Sequence, residues 1–175
     1  SMDFNGENKN KFYTFAANEW MYDTSGVACD KDVARVTVSG LPDEPGKAFR
    51  LFSLLAKNKI NIDIILQSGG DGEKQEISFT TATADLDTTL KLLEENKDRL
   101  QYESVTSRGS LAKVSIVGAG MVTNPGVAAK MFDALSSQQI NIQMISSSEI
   151  RVSVLVAKAD ADRAVTAVHK YFFDK

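Results

Sequence analysis

The sequence predicts an α+β protein made of two copies of one βαββαβ unit. The first observation is an internal repeat, in which Pro45–Ser68 recurs as Pro125–Ser148 with an Ile-Asn-Ile triplet in register. The second is that segments alternating with period two, typical of half-buried strands, are interleaved with segments of helical period. This order corresponds to a four-stranded antiparallel sheet with two helices on one face.

The first copy opens with a strand and a helix. "VARVTVSG" at Val33–Gly40 alternates with period two and is rich in β-branched residues, which predicts a strand with one buried face. "DEPGKAFRLFSLLAKNK" at Asp43–Lys59 predicts the helix, with Pro45 in its first turn. Apolar residues at helical spacing, three and four positions apart, form the stripe that is expected to face the core: Ala48, Phe49, Phe52, Leu55 and Ala56.

A hairpin, a second helix and a closing strand complete the first copy. "NIDIILQS" at Asn61–Ser68 and "KQEISFTTA" at Lys74–Ala82 predict a hairpin around a glycine-rich loop. "DLDTTLKLLEEN" at Asp85–Asn96 predicts an amphipathic helix, and "QYESVTSRG" at Gln101–Gly109 predicts the last strand.

The second copy repeats this order but lacks a closing strand, because its last helix, about Asp160–Phe172, runs to the end of the sequence. One strand-like piece, "SGVACD" at Ser25–Asp30, belongs to neither copy. We predict that it crosses over to complete the second sheet, since the edge beside an apolar helix would otherwise be exposed. The first domain, 33–109, is then inserted in the second, 24–32 plus 110–173. Residues 1–22 are expected to be an N-terminal extension or a vector-derived segment.

The composition argues against two classes of partner. Apolar residues make up 43% and charged residues 25%, as in ordinary globular proteins. A net charge of −3 offers no basic surface for nucleic acid. No apolar run approaches the roughly 18 residues of a membrane span. The single Cys29 suits a reducing compartment. We therefore expect a cytoplasmic protein without nucleic-acid or membrane partners.

The sequence contains no complete motif for catalysis, for metal binding or for cofactor binding. "GAG" at Gly118–Gly120 lacks the spacing of a dinucleotide fingerprint. His169 has no second His or Cys with which to share a metal. The Ser146–Ser148 hydroxyls have no partnered histidine, and nothing accompanies Asp43 and Asp63 to handle a leaving group. The expectation is no catalytic site, no metal and no cofactor.

The repeat itself creates a candidate binding site. In both copies a strand ends in Gly, a polar loop and a Pro-Gly pair precede the helix, and the next strand opens with Asn-Ile followed by Asp63 or Gln143. Helix N-terminal amides favour a carboxylate, and a carboxylate such as Asp43 favours an ammonium group. A free amino acid carries both groups. The alternative, in which Pro-Gly only starts the helix and the Asn residues cap a turn, stays open at this point.

Several stretches resemble the tandem ACT domains at the C-terminus of aspartate kinase. They are "LPDEPG" at Leu41–Gly46, "INID" at Ile60–Asp63, and "VGAGMVTNPGVAAKMFDALSSQQINIQMISSSEIRVSVLV" at Val117–Val156. The lead-in "GVACDKDVARVTV" at Gly26–Val38 is similar to the entry segment of the same region. The resemblance covers about residues 25–173. It implies two ferredoxin-like ACT domains, the first inserted in the second.

The resemblance implies a regulatory function. Such a region senses lysine, threonine or both, and controls the enzyme that phosphorylates aspartate with ATP. The kinase motif "KFGG" does not occur in this sequence, so we expect no activity of this chain alone and an aspartate kinase as its parent. The implied partners are a second copy, in a homodimer through the ACT domains, and the kinase catalytic domain or subunit. The alternative is an ACT-type regulatory subunit of another amino-acid biosynthetic enzyme.

A ferredoxin-like RNA-binding module is a competing class. Such a module would display paired aromatic residues and a basic face on its central strands. The matching strands here offer one Phe and no basic cluster. The sequence therefore disfavours RNA binding.

The effector-binding candidates combine the resemblance with the helix-start argument. In the first unit they are Asp43, Pro45, Gly46, Lys47, Ala48, Asn61, Ile62, Asp63 and Gln67. In the second unit they are Met121, Asn124, Pro125, Gly126, Val127, Ala128, Asn141, Ile142, Gln143 and Ser147. Because an enclosed lysine side chain needs a charged partner, the acidic first unit is predicted to prefer lysine and the neutral second unit threonine.

Overall fold

The computed structural model of the chain describes residues 10–13, 26–69, 72–117, 126–148 and 151–173. The chain divides into two compact units. We call Asp32–Gly109 the inserted unit, and Ser1–Lys31 together with Ser110–Lys175 the split unit. In chain order the elements are β1 (Asn10–Tyr13), β2 (Gly26–Pro42), α1 (Lys47–Lys57), β3 (Ile65–Gly69), β4 (Lys74–Ala82), α2 (Leu86–Glu95), α3 (Lys97–Leu100), β5 (Ser104–Val117), α4 (Gly126–Ser137), β6 (Met144–Ser147), β7 (Arg151–Ala157) and α5 (Ala161–Phe173).

The inserted unit has the strand order β3-β4-β2-β5. Strand β4 lies antiparallel to both β2 and β3. The register between β2 and β4 shifts between Val38 and Leu41, where Gly40 adopts a φ of 70°. This bulge allows both Val38 and Leu41 to face the core, since an uninterrupted strand would turn one of them outward. The core of this unit contains Val36, Val38, Leu41, Leu51, Leu55, Ile60, Ile77, Phe79, Leu93, Leu100 and Tyr102.

The split unit has the strand order β2-β5-β7-β6. Its fourth strand is the first part of β2, which also pairs with β1 through Val27–Asp30. The helices α4 and α5 pack on a core that includes Val27, Val114, Ile116, Met131, Leu135, Val154, Val165, Val168 and Phe172. The predicted fold class, two ferredoxin-like βαββαβ domains with the first inserted in the second, is confirmed.

Two pairs of predicted strands are continuous in the structure. The segments predicted as separate strands at Ser25–Asp30 and Val33–Gly40 overlap the single strand β2. The last predicted strand of the first copy, at Gln101–Gly109, and the first predicted strand of the second copy, which follows Ser110, likewise overlap the single strand β5. Charged residues at 30–32 lie in the middle of β2. They are partly buried rather than looped out, and neither Gly nor Pro lies among them to end the strand.

The predicted placement of Pro45 in the helix is wrong. Helix α1 begins at Lys47, and the preceding residues form a turn in which the N–H of Lys47 donates to the carbonyl of Glu44 at 3.2 Å. Gly46 has φ 91° and ψ −11°, values that belong to the third position of a type II turn with proline at the second. A residue with positive φ cannot continue a right-handed helix, so the Pro-Gly pair precedes α1.

The predicted buried stripe of α1 is also partly wrong. The buried side chains are Lys47, Leu51 and Leu55, whereas Phe49 is 75% exposed and Ala56 is exposed. At 3.6 residues per turn, Phe49 lies roughly 200° around the helix from Lys47. Ala48, Phe52 and Leu55 contact the core as predicted, so the prediction fails only at Phe49 and Ala56.

The way each first helix ends explains the repeated Ile-Asn-Ile triplet. Lys59 adopts a φ of 58°, and the next N–H, that of Ile60, donates to the carbonyl of Leu55 at 3.0 Å. Gln139 and Ile140 repeat this arrangement after α4, with a φ of 55° at Gln139. These are the features of a Schellman motif, in which the residue after the left-handed position contacts the core. Both isoleucines are buried accordingly.

The second isoleucine of each triplet also contacts its core. Ile62 and Ile142 pack against the two clusters, while Asn61 and Asn141 between the isoleucines are exposed. Successive residues of an extended segment point to opposite sides. The triplet thus anchors the segment through its isoleucines and leaves one amide side chain on the surface.

Replacing the left-handed cap residues by glycine is expected to stabilise the protein. A non-glycine residue in this conformation is strained, while glycine is not. We therefore predict that Lys59→Gly and Gln139→Gly each raise the free energy of unfolding by about 0.5–1 kcal/mol, measured by urea denaturation.

The matched control is Lys57→Gly, two residues earlier at the last residue of α1. Helical glycine costs about 1 kcal/mol relative to good helix formers, so this variant should be destabilised. Destabilisation by glycine at both position 57 and position 59 would contradict the cap assignment.

Candidate functional site

The start of α1 lies at the surface of the inserted unit. The carbonyl of Gly46 accepts the N–H of Arg50 at 2.9 Å, which is the first hydrogen bond of the helix. The amides of Ala48 and Phe49 in the first turn therefore have no carbonyl within the helix to bind. Pro45 and Gly46 are exposed. The positive end of the helix dipole and these amides favour a carboxylate at this position.

Asp43 and Gln67 lie at the same end of the inserted unit. The N–H of Asp43 donates to the carbonyl of Glu73 at 3.1 Å. The side-chain amide of Gln67 donates to Gln75, whose own amide nitrogen donates to the carbonyl of Pro42 at 3.2 Å. Gln67 on β3 is thus connected to the residue that precedes Asp43.

Gln75 is a residue that the sequence analysis missed. It is only 4% exposed and lies on the core-facing side of β4, two and four residues before Ile77 and Phe79. A polar residue at a core position of an alternating strand is a signal that the sequence contained. The side chain of Gln75 connects Gln67 to the carbonyl of Pro42, the residue before Asp43.

Asn61, Ile62 and Asp63 lie at the opposite end of this unit. The carbonyl of Asn61 accepts a hydrogen bond from the hydroxyl of Thr81 at 3.0 Å, whereas Pro42 pairs with Lys74 at the other end of β4. About seven residues of β4 separate these points, roughly 23 Å at the usual rise of a strand. A single inserted unit therefore does not bring the helix start and the Asn-Ile segment together.

Lys47 has a role inside the unit. Its side chain is 6% exposed, and its ammonium group donates to the side-chain oxygen of Gln101 at 2.7 Å and to the carbonyl of Arg99 at 3.3 Å. These bonds connect the first turn of α1 to the end of α3. Ala48, the candidate that follows Lys47 in α1, is half-buried and packs against the core of the inserted unit.

The split unit repeats part of this geometry. Helix α4 begins at Gly126, followed by the buried Val127 and the partly buried Ala128. The N–H of Gln143 donates to the carbonyl of Leu155 at 2.7 Å, as that of Asp63 does to Thr80 in the inserted unit. Two further candidates, Asn141 and Ser147, are exposed. Ile142 packs on the core. Met121, Asn124 and Pro125 lie outside the described residues.

Each sheet has an exposed edge strand beside its candidate residues. All residues of β3 are exposed, with Ile65 at 50% and Leu66 at 42%. Ile145 on β6, the equivalent of Ile65 in the repeat, is 43% exposed. Uncovered apolar edge strands are surfaces on which another chain can pair. No helix in the described part of the chain is long and apolar enough to cross a membrane.

Comparison with known proteins identifies the family. The model of the ACT domain family matches residues 36–96 and 114–172, one match in each unit. The sequence is 47% identical over 147 residues to an aspartokinase of Bacillus sp. (strain MGA3) and 46% identical over 147 residues to aspartokinase 2 of Bacillus subtilis (strain 168). Each match covers 84% of this chain but 36% of the relative, so the chain spans about a third of their length.

Two solved structures match over nearly their whole length. A chain from the structure of aspartokinase alpha and beta subunits is 41% identical with a TM-score of 0.78, covering 85% of this chain and 98% of that one. The ligand-free regulatory subunit of aspartate kinase from Thermus thermophilus is 39% identical with a TM-score of 0.78, covering 86% and 99%. The repeat, the two matched units and these likenesses together show that the chain belongs to the ACT domain family, as a tandem regulatory region of the aspartokinase type.

Proposed function

We propose that this chain senses an end-product amino acid, lysine, threonine or both, and regulates the catalytic part of an aspartate kinase. The observation that supports this most is the open start of α1 with Asp43 and Gln67 at the same end. The helix start favours the carboxylate of a free amino acid, and Asp43 favours its ammonium groups. The chain itself contributes regulation, while phosphoryl transfer belongs to the catalytic domain or subunit.

A homodimer completes the proposed site. The helix start and the Asn-Ile segment lie at opposite ends of a unit, so a single unit supplies half of the ligand contacts. If β3 of one chain pairs antiparallel with β6 of its partner, the Asn-Ile end of each unit meets the helix start of the other. Such contacts close as a twofold dimer in which each effector is shared between chains. The exposed side chains of Ile65 and Ile145 support this pairing.

The first prediction from this proposed function concerns the ligands. In titration calorimetry we expect lysine, threonine or both to release or absorb heat and to raise the melting temperature. A ligand at a hundred times its Kd stabilises the folded form by about 2.7 kcal/mol, which is measurable. Aspartate-family amino acids outside this pair, methionine and isoleucine, serve as comparisons. Absence of heat and of any thermal shift with all four would refute amino-acid sensing.

A second prediction separates the two effectors. Asp43→Ala should weaken lysine binding by about 1–3 kcal/mol, because it removes a charged hydrogen-bond acceptor, and should affect threonine less. The matched control is Asp87→Ala, which removes an exposed carboxylate from the first turn of α2 in the same unit. Equal losses for both ligands, or unchanged lysine binding, would show that the acidic end of the inserted unit is not the lysine site.

The dimer gives a third prediction. We expect sedimentation velocity to report a dimer, and the double variant Ile65→Lys with Ile145→Lys to shift it towards monomer, since lysine on an edge strand opposes pairing. Phe49→Ser, which changes an exposed apolar residue of α1, is the control and should remain dimeric. A wild-type monomer in the presence and absence of lysine and threonine would contradict the shared site.

The kinase assignment has its own test. Capture of an aspartate kinase catalytic domain or subunit from the host lysate by the immobilised chain is the expected result. Capture of a different amino-acid biosynthetic enzyme would favour the alternative, a regulatory subunit for that enzyme, while leaving amino-acid sensing in place.

A further inference from the structure

A groove on the helical side of the inserted unit is separate from the effector candidates. It has a volume of about 340 Å³ and lies between α1 and the junction of α2 with α3. Its lining includes Phe49, Leu54, Leu100, Arg50, Lys57 and Arg99. None of these side chains belongs to the proposed amino-acid site. The volume falls at the lower end of the range typical of small-molecule sites.

The groove is basic although the protein is acidic. Two guanidinium groups and one ammonium group line it, from Arg50, Arg99 and Lys57, and no carboxylate does. The chain as a whole carries a net charge of −3. Among the described residues, no ion pair is found for Arg50, Lys57 or Arg99. Converging cations without a partner attract an anion, and guanidinium groups bind phosphate oxygens in pairs.

An aromatic ring stands at the same groove. Phe49 is the most exposed large apolar side chain of the described residues, at 75%. It lies beside Arg50, and the apolar side chains of Leu54 and Leu100 also line the groove. An exposed ring next to cations is a surface on which a planar ring can stack while charged groups of the same ligand reach the cations.

The walls of the groove are held in place by hydrogen bonds. Lys47 connects α1 to the carbonyl of Arg99. The side-chain amide of Asn96 donates to the carbonyl of Leu92 at 2.8 Å, and the hydroxyl of Tyr102 donates to the carbonyl of Leu93 at 2.8 Å. Burial, with a smaller contribution from the charge of Glu94, raises the pKa of the Tyr102 hydroxyl. A preformed cavity binds at a lower entropic cost.

The second copy of the repeat lacks this chemistry. At the positions equivalent to Phe49, Ser53 and Lys57, helix α4 has alanine, aspartate and serine. The equivalent of Leu54, Ala134, is buried. Only the position of Arg50 keeps its charge, as Lys130. The basic aromatic groove is therefore specific to the inserted unit rather than a general property of this fold.

We infer that the groove binds a small organic anion that combines an aromatic ring with phosphate groups, the chemistry of a nucleotide. The phosphates contact Arg50, Lys57 and Arg99, and the base stacks on Phe49. The two sites use different groups: the groove uses the side chain of Phe49, whereas the proposed amino-acid site uses its backbone amide.

The test is calorimetry on the full chain with ATP, ADP, AMP and inorganic phosphate, without divalent cations. We expect ATP and ADP to bind more tightly than phosphate, and affinity to fall as salt rises. Phe49→Ala and the double variant Arg50→Gln with Arg99→Gln should each weaken ATP binding at least about tenfold, as expected for a lost stacking surface or lost charged contacts. All these side chains are exposed, and melting temperatures verify that the variants remain folded.

Two controls make the result specific. Lys130→Gln removes the equivalent cation of α4 and should leave ATP binding unchanged. Lysine and threonine titrations of the groove variants should match the wild type, so failure of the groove and failure of the amino-acid site are distinguishable.

Several results would overturn the inference. No nucleotide binding, or binding that survives both groove variants, would remove the site. Phosphate binding as tight as that of ATP would exclude recognition of the ring. Tighter binding of an acidic peptide than of ATP would assign the groove to a protein partner instead.

Discussion

The candidate amino-acid site depends on the path of the first helix in each unit. Strands β2 and β3 run in the same direction, since each lies antiparallel to β4. A connection between two parallel strands must return along the sheet before the second strand begins, and α1 provides that return. The start of α1 and the start of β3 therefore lie at opposite ends of the unit. The amides that suit a carboxylate and the Asn-Ile segment are separated by the length of a strand for this reason.

The ends of the helix are defined by different means. At the beginning, Pro45 and Gly46 form a turn whose positive φ cannot be helical, so the helix starts after it. At the end, Lys59 takes the left-handed conformation and Ile60 is drawn into the core. The same ending follows α4. The two copies thus share the feature that directs the chain from helix to edge strand, and they share the exposed asparagine that this geometry produces.

The two units nevertheless differ in what surrounds their helices. In the inserted unit, α2 is followed by the short α3, and the buried Lys47 connects α1 to that segment. In the split unit, α5 is continuous from Ala161 to Phe173, and its buried residues pack with those of α4 in one core. The additional segment gives the inserted unit its basic groove. Differences outside the shared core therefore accompany the basic groove of the inserted unit.

Local patterns in the sequence determined the fold class, the order of elements and the insertion of one unit in the other. Apolar residues that recur every two or every 3.6 positions indicate which face of a single strand or helix is buried. The internal repeat allows the two copies to be compared. The helix start with Asp43 was also predictable from local residues. The exposure of Phe49, the continuity of β2 and the contact of Gln67 with Gln75 were decided only by the tertiary structure. These features depend on register and packing between segments distant in sequence, which no local period encodes.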